Sequence, residues 1–206
     1  MKFPDKKYLK IDEYLNDYSK NSFFSLNNID KKKLNKCTKI LEKAYKNKKK
    51  LFVCGNGGSS ALANHFACDH QKILSQLNKF YPRIISLNSN DALLTAISND
   101  VNYENIFSDQ VDQLGDKGDF LLCISSSGKS KNVVNATKMA KKKGIYSISF
   151  TGFDGGYLKN NSDLNIHCNS KNYGIIEACH HSIMNIIAQF IRQSNISSSL
   201  VKETIF

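Results

Sequence analysis

Short apolar runs alternate with amphipathic stretches through most of the chain. Leu51–Cys54, Ile84–Leu87, Phe120–Ile124, Tyr146–Phe150 and Leu164–His167 read as strands. Helices are expected near 59–77, 90–98, 103–114 and 130–143, with a longer one near 175–193. Strands and helices in strict alternation imply a parallel sheet covered on both faces, a doubly wound α/β fold of five strands. Upstream, Leu9, Tyr14 and Leu15 mark one helix, and Leu34, Cys37, Ile40, Leu41 and Ala44 recur at helical intervals in a second. Asp30 is placed to cap the second helix. With two prolines, no repeat and no Gly/Ser-rich bridge, the chain reads as one α/β domain over 51–195. A helical extension over 1–50 precedes it, suited to oligomer contacts, and a tail over 196–206 follows.

The 206 residues suffice for one sizeable core. A net charge of +11 and a pI near 9.3 suggest a polyanion partner. The distribution of charge argues otherwise. Residues 1–50 hold 15 basic against 6 acidic side chains, whereas 51–206 hold 14 against 12. Arg83 and Arg192 are the only arginines, and base-specific readers depend on the bidentate guanidinium. No nucleic-acid partner is expected. No apolar run spans a bilayer and the start lacks a signal-peptide core, so no membrane partner is expected either, and the cytoplasm is the default location. Cys37, Cys54, Cys68, Cys123, Cys168 and Cys179 are scattered without a Cys-x-x-Cys pair, reading as reduced thiols rather than disulfides or metal ligands.

Two loops carry candidate chemistry. Cys54-Gly55-Asn56-Gly57-Gly58-Ser59-Ser60 follows a strand and opens a helix. Its glycines let backbone approach an anion, and Ser59 and Ser60 add hydroxyl donors. Ile124-Ser125-Ser126-Ser127-Gly128-Lys129-Ser130 occupies the equivalent place after a later strand. Neither is a P-loop or a Gly-x-Gly-x-x-Gly fingerprint. Each alone is explained by a tight turn or a serine-rich cap. Two at matching positions of one sheet point to a phosphorylated small molecule held by hydroxyls and backbone N–H groups.

These loops, with Asn64-His65-Phe66-Ala67, Ser98-Asn99-Asp100, Thr151-Gly152-Phe153-Asp154-Gly155-Gly156 and the helix containing Glu177, resemble the sugar isomerase (SIS) domain family. The resemblance runs from about residue 30 to 193 and is strongest to the phosphoheptose isomerase branch. It implies a homotetramer with sites between subunits and an aldose–ketose isomerase of sedoheptulose 7-phosphate serving surface polysaccharide. By family position Ser125, Ser127 and Ser130, with the Ser126 backbone, cradle the phosphate. Asn56, Gly57, Gly58 and Ser59 line the sugar, and Asn99, Asp100 and Glu177 bind its hydroxyls.

The resemblance also places a base at Asp69, where other members have glutamate, and a catalytic histidine at Asn185. Some members bind zinc through the positions occupied here by His65, Asp69, Glu177 and Asn185. Isomerisation needs a base to move a proton between C1 and C2 and a second group for the oxygen protons. Asn185 transfers no protons and is a poor zinc ligand beside imidazole. Glu177 with His180 or His181 is the alternative acid/base set, both histidines being within one helical turn of it. The altered pair also leaves open a non-catalytic phosphosugar-binding protein, similar to a bacterial replication-initiator-binding relative, or an isomerase of another phosphosugar.

Overall fold

The computed structural model describes residues 2–205. Two helices, α1 (Ile11–Asn27) and α2 (Lys31–Lys46), lead into β1 (Lys50–Gly55). There follow α3 (Gly58–Leu74), β2 (Arg83–Ser86), α4 (Asp91–Asp100), a 3₁₀ turn (Tyr103–Asn105) and α5 (Ser108–Leu114). The second half comprises β3 (Phe120–Ser125), α6 (Lys131–Lys143), β4 (Tyr146–Thr151), α7 (Gly156–Asn161), β5 (Leu164–His167), α8 (Tyr173–Ser194) and α9 (Ser198–Glu203).

The strands form one sheet in the order β2-β1-β3-β4-β5, every neighbouring pair parallel. Both faces of such a sheet are covered, which is why its strands read as nearly unbroken apolar runs. Successive side chains still divide between the faces. Leu51, Val53, Leu122 and Ile124 join a core with residues of α2, α3 and α8. Phe52, Cys54, Leu121 and Cys123 join a second core with residues of α5 and α6. Cys54 and Cys123, in register on adjacent strands, bring their sulfurs to 3.6 Å as free thiols.

Asp30 caps α2 as its position suggested, its carboxylate accepting from the N–H groups of Lys32 and Lys33 at 3.0 Å. Cys37, Leu41, Ala44 and Tyr45 of this helix are buried. All but Ala44 belong to the core shared with β1, α3 and α8. The helix expected over 103–114 is instead two pieces. A 3₁₀ turn ends at Asn105 and α5 begins at Ser108, and between them Ile106 and Phe107 are both buried in the second core alongside Val111. Within the tail, Ser197 caps the short α9 by accepting from Leu200 N–H. No helix among the described residues is long and apolar enough to cross a membrane.

Candidate active site

Because β1 and β3 are adjacent and parallel, their carboxyl ends deliver the two loops to one edge of the sheet. In this strand order the winding reverses between β1 and β3, which is where open α/β sheets form a ligand crevice. The first loop is pinned by Asn88, which accepts from Gly55 N–H at 3.1 Å and donates to Gly55 C=O at 2.9 Å. Gly57 then takes φ +55°, a conformation that favours glycine, and α3 starts with no side chain capping it.

In the second loop Ser125 Oγ accepts from Gly128 N–H at 3.1 Å, and Ser127 Oγ from Lys129 N–H at 3.3 Å. Each hydroxyl keeps its own proton to donate. Ser130 stands at the N-cap of α6 without making the cap hydrogen bond. Ser126 is 6% exposed, and its Oγ has no hydrogen-bond partner among the described residues. Its carbonyl accepts from Gly152 N–H at 2.9 Å, while Gly128 C=O accepts from Leu158 N–H at 3.2 Å. Gly128 has φ +64° and lies so close to the Gly155 carbonyl that a Cβ would collide with it. The glycines of the 151–156 segment thus support the serine loop from below.

One cavity of about 170 Å³ collects Asn56 and Ser59 from the first loop, and Ser125, Ser126, Ser127 and Ser130 from the second. Tyr173 and Glu177 of α8 complete the polar wall. Neither lysine nor arginine lines it. Lys129 is occupied at the exterior by Asp154, 2.6 Å away. The ends of α3 and α6 that face this edge carry positive partial charge and no side-chain cap, so the wall suits an anion held by dipoles and hydroxyls. The Glu177 carboxylate packs on Gly58 at the same end of α3.

The remaining candidates lie elsewhere. Asn99 and Asp100 are exposed at the end of α4, where Asn99 Nδ2 donates to Asp100 Oδ1 at 2.9 Å, outside the cavity wall. His65 Nε2 and Asp69 Oδ2 are 2.9 Å apart on the half-exposed side of α3. The His181 ring meets His65 edge-on with centroids 4.9 Å apart, and its Nε2 is buried without a partner. Asn185 is half-buried one turn further along α8.

His180 does not belong with them. It is 1% exposed against Phe150, and neither ring nitrogen makes a well-formed hydrogen bond. Burial pulls its pKa down to about 4, with the Thr151 backbone offsetting part of the shift. Adjacent helical residues point about 100° apart. His180 therefore enters the core while His181 stays on the α3-facing stripe. Tyr173 also stands on the wall, and its only signal in the sequence is its place on the Glu177 stripe at i−4.

The four positions considered for zinc do not fit the metal. His65 Nε2 is engaged by Asp69, and Asn185 supplies an amide where a strong site uses imidazole. Among the described residues no three His, Cys, Asp or Glu side chains converge in a metal-holding group.

The SIS domain profile matches residues 14–152. A phosphoheptose isomerase of Aliarcobacter butzleri is 39% identical over 158 residues, 77% of this chain and 83% of that protein. The phosphoheptose isomerase of Sulfurimonas denitrificans is 34% identical over 190 residues, 91% and 95% of the two chains. The solved phosphoheptose isomerase of Neisseria gonorrhoeae superposes with a TM-score of 0.81 at 27% identity, covering 89% of this chain and all of that one. A profile across two thirds of the sequence, and such relatives across most of their length, place the chain in the SIS-domain family, within its phosphoheptose isomerase branch.

Proposed function

We infer that the protein is a phosphosugar aldose–ketose isomerase converting sedoheptulose 7-phosphate to D-glycero-D-manno-heptose 7-phosphate. The observation that carries this reading is the buried Ser126 hydroxyl. It lacks a partner on the wall of a cavity otherwise built from serine hydroxyls and two open helix ends. A buried hydroxyl costs free energy unless it is bonded, and a phosphate oxygen supplies the bond.

At about 170 Å³ the cavity falls below the roughly 300–1,000 Å³ of a typical small-molecule site. It matches the phosphate and adjoining carbons, so the C1–C2 end of a seven-carbon substrate extends past Glu177. Along that direction lie His181, His65 and Asp69. Asp69 acts as the base: it takes a proton from C1 of the ketose, an enediol forms, and the proton returns to C2. Glu177 and His181 move the oxygen protons, giving O2 one and removing one from O1, so no electrons leave the substrate. His65, donating to Asp69, orients the carboxylate. Asn99 and Asp100, outside the cavity wall of this chain, are assigned to the sugar hydroxyls by family position alone.

We propose that the enzyme is a cytoplasmic homotetramer with sites at subunit boundaries, supplying heptose for lipopolysaccharide or capsule. Exposed apolar residues support the assembly: Ile11, Leu15, Phe23 and Phe24 on α1, and Ile186 and Phe190 on α8. Phe23 and Ile186 line one shallow groove that continues to Phe190, a face suited to burial against a second copy.

Incubation with sedoheptulose 7-phosphate, following aldose appearance, tests the activity. Turnover of this substrate above that of five- and six-carbon ketose phosphates is expected. Thermal stabilisation by the compound with no turnover at high enzyme concentration would reduce the protein to a phosphosugar-binding module.

A further inference from the structure

Asn56, on the wall of the cavity, is held by residues that the proposed reaction does not otherwise use. Asn132, the second residue of α6, is 2% exposed. Its orientation is set by Val133, whose backbone N–H can only donate, so the Asn132 atom 2.9 Å from it is the amide oxygen. That oxygen also accepts from Asn56 Nδ2 at 2.8 Å. Asn132 Nδ2 in turn donates to Asn56 Oδ1 at 2.9 Å, and Tyr103 Oη donates to the same oxygen at 3.0 Å.

Asn56 Oδ1 has two lone pairs, and both are filled. Asn56 Nδ2 has two hydrogens, and one is used. The sole capacity left on this amide is one N–H. The turn carrying Tyr103 is fastened to the same helix: Lys131 and Glu104 form an ion pair at 2.6 Å, and Asn135 Nδ2 donates to Glu104 C=O at 3.1 Å. The first loop, the helix after the serine loop and the turn beyond Asn99-Asp100 are therefore coupled through one asparagine.

We propose that Asn132 and Tyr103 are positioning residues that lock the Asn56 amide, so that this side chain offers the bound sugar phosphate an N–H donor and no acceptor. The substrate atom it meets is an oxygen lone pair, whether hydroxyl, carbonyl or phosphate. This rests on the reading of the cavity as a phosphosugar site.

The test measures the Kd of sedoheptulose 7-phosphate by calorimetry, together with KM and kcat. It uses Tyr103→Phe, Asn132→Ala and Asn56→Ala, and each of the first two combined with Asn56→Ala. Losing one neutral hydrogen bond that orients the donor corresponds to about a 3- to 10-fold rise in Kd and KM. kcat should change less than KM. In the Asn56→Ala background, Tyr103→Phe and Asn132→Ala should each add less than about twofold, because the group they position is gone. Equal effects in both backgrounds, or no effect in either, would overturn the inference. If Asn132→Ala does not fold, the half-exposed Tyr103→Phe decides alone. Wild-type protein that fails to bind the sugar phosphate overturns the site reading and this inference together; wild-type binding without coupling overturns only the inference.

Discussion

The Glu177 carboxylate rests on the backbone of Gly58, and a Cβ at that glycine would stand 3.0 Å from Oε2 and 3.2 Å from Oε1. α8 thus sets its one cavity-facing carboxylate over the first turn of α3, where the helix dipole favours negative charge. The absence of a side chain at residue 58 creates the space for it.

Gly58→Ala should separate stability from turnover. Alanine in a first helical turn is favoured over glycine by up to about 1 kcal/mol, so the melting temperature should hold or rise slightly. The new methyl displaces the carboxylate, and a misplacement of roughly 1 Å can cost about 100-fold in rate. A fall in kcat of about 10- to 100-fold with unchanged melting is expected from steady-state kinetics and calorimetry. Unchanged kcat would remove Glu177 from the chemistry.

Ser126→Ala should also split two properties. The hydroxyl is buried and unpaired in the free protein, so its removal deletes a desolvation cost, and stability should rise by up to about 1 kcal/mol. A hydrogen bond to a charged phosphate contributes about 1.5–3 kcal/mol, so KM should rise about 10- to 100-fold. Denaturant midpoints and KM measured on one preparation check both signs. Lower stability with unchanged KM would make Ser126 a structural residue.

The sheet was legible in the sequence because strands buried on both faces appear as continuous apolar runs. The loops were legible because glycine and serine cluster where strand passes into helix. The break before α5 was not legible: Ile106, Phe107, Val111 and Leu114 together imitate one amphipathic period, and only packing against the second core separates them. The two histidines of α8 could not be told apart by composition, since each falls within a turn of Glu177. Which one enters the core depends on Phe150, thirty residues away. Asn132 carries no signal at all beyond its place after Ser130. Its role exists only because β1 and β3 are neighbours.

Asp69→Asn should abolish turnover while leaving the fold intact. The His65–Asp69 pair is half-exposed, with side chains 42% and 26% accessible, and such pairs contribute at most about 1 kcal/mol. Loss of a general base costs about 100- to 10,000-fold. Circular dichroism melting within a few degrees of wild type, with kcat reduced by at least 100-fold, is the expected pair of results. Retained turnover would move the base elsewhere, with Glu177 the next candidate.

Two buried imidazoles should make the protein acid-labile well above the carboxylate range. Burial lowers His70 to about 3, with its bond to the Met184 carbonyl opposing the shift, and lowers His180 to about 4. Both titrate near 6.5 in an unfolded chain. Between about pH 6.5 and 4 the unfolded state binds more protons than the folded one, so stability falls as pH falls, and the full contribution is present above 6.5. Each histidine adds a slope of about 1.4 kcal/mol per pH unit across that window. His70 is also a bonded part of the core, its Nδ1 accepting from Tyr45 Oη at 2.9 Å and its Nε2–H donating to Met184 C=O at 3.2 Å. Replacing it would confound charge with lost bonds. His180 has no well-formed bond to lose, so His180→Leu isolates the protonation effect. Urea midpoints from pH 4.5 to 8 should show the acid-side slope reduced by about 1.4 kcal/mol per pH unit in His180→Leu. An unaltered slope would mean that His180 is solvated and protonated in the folded protein.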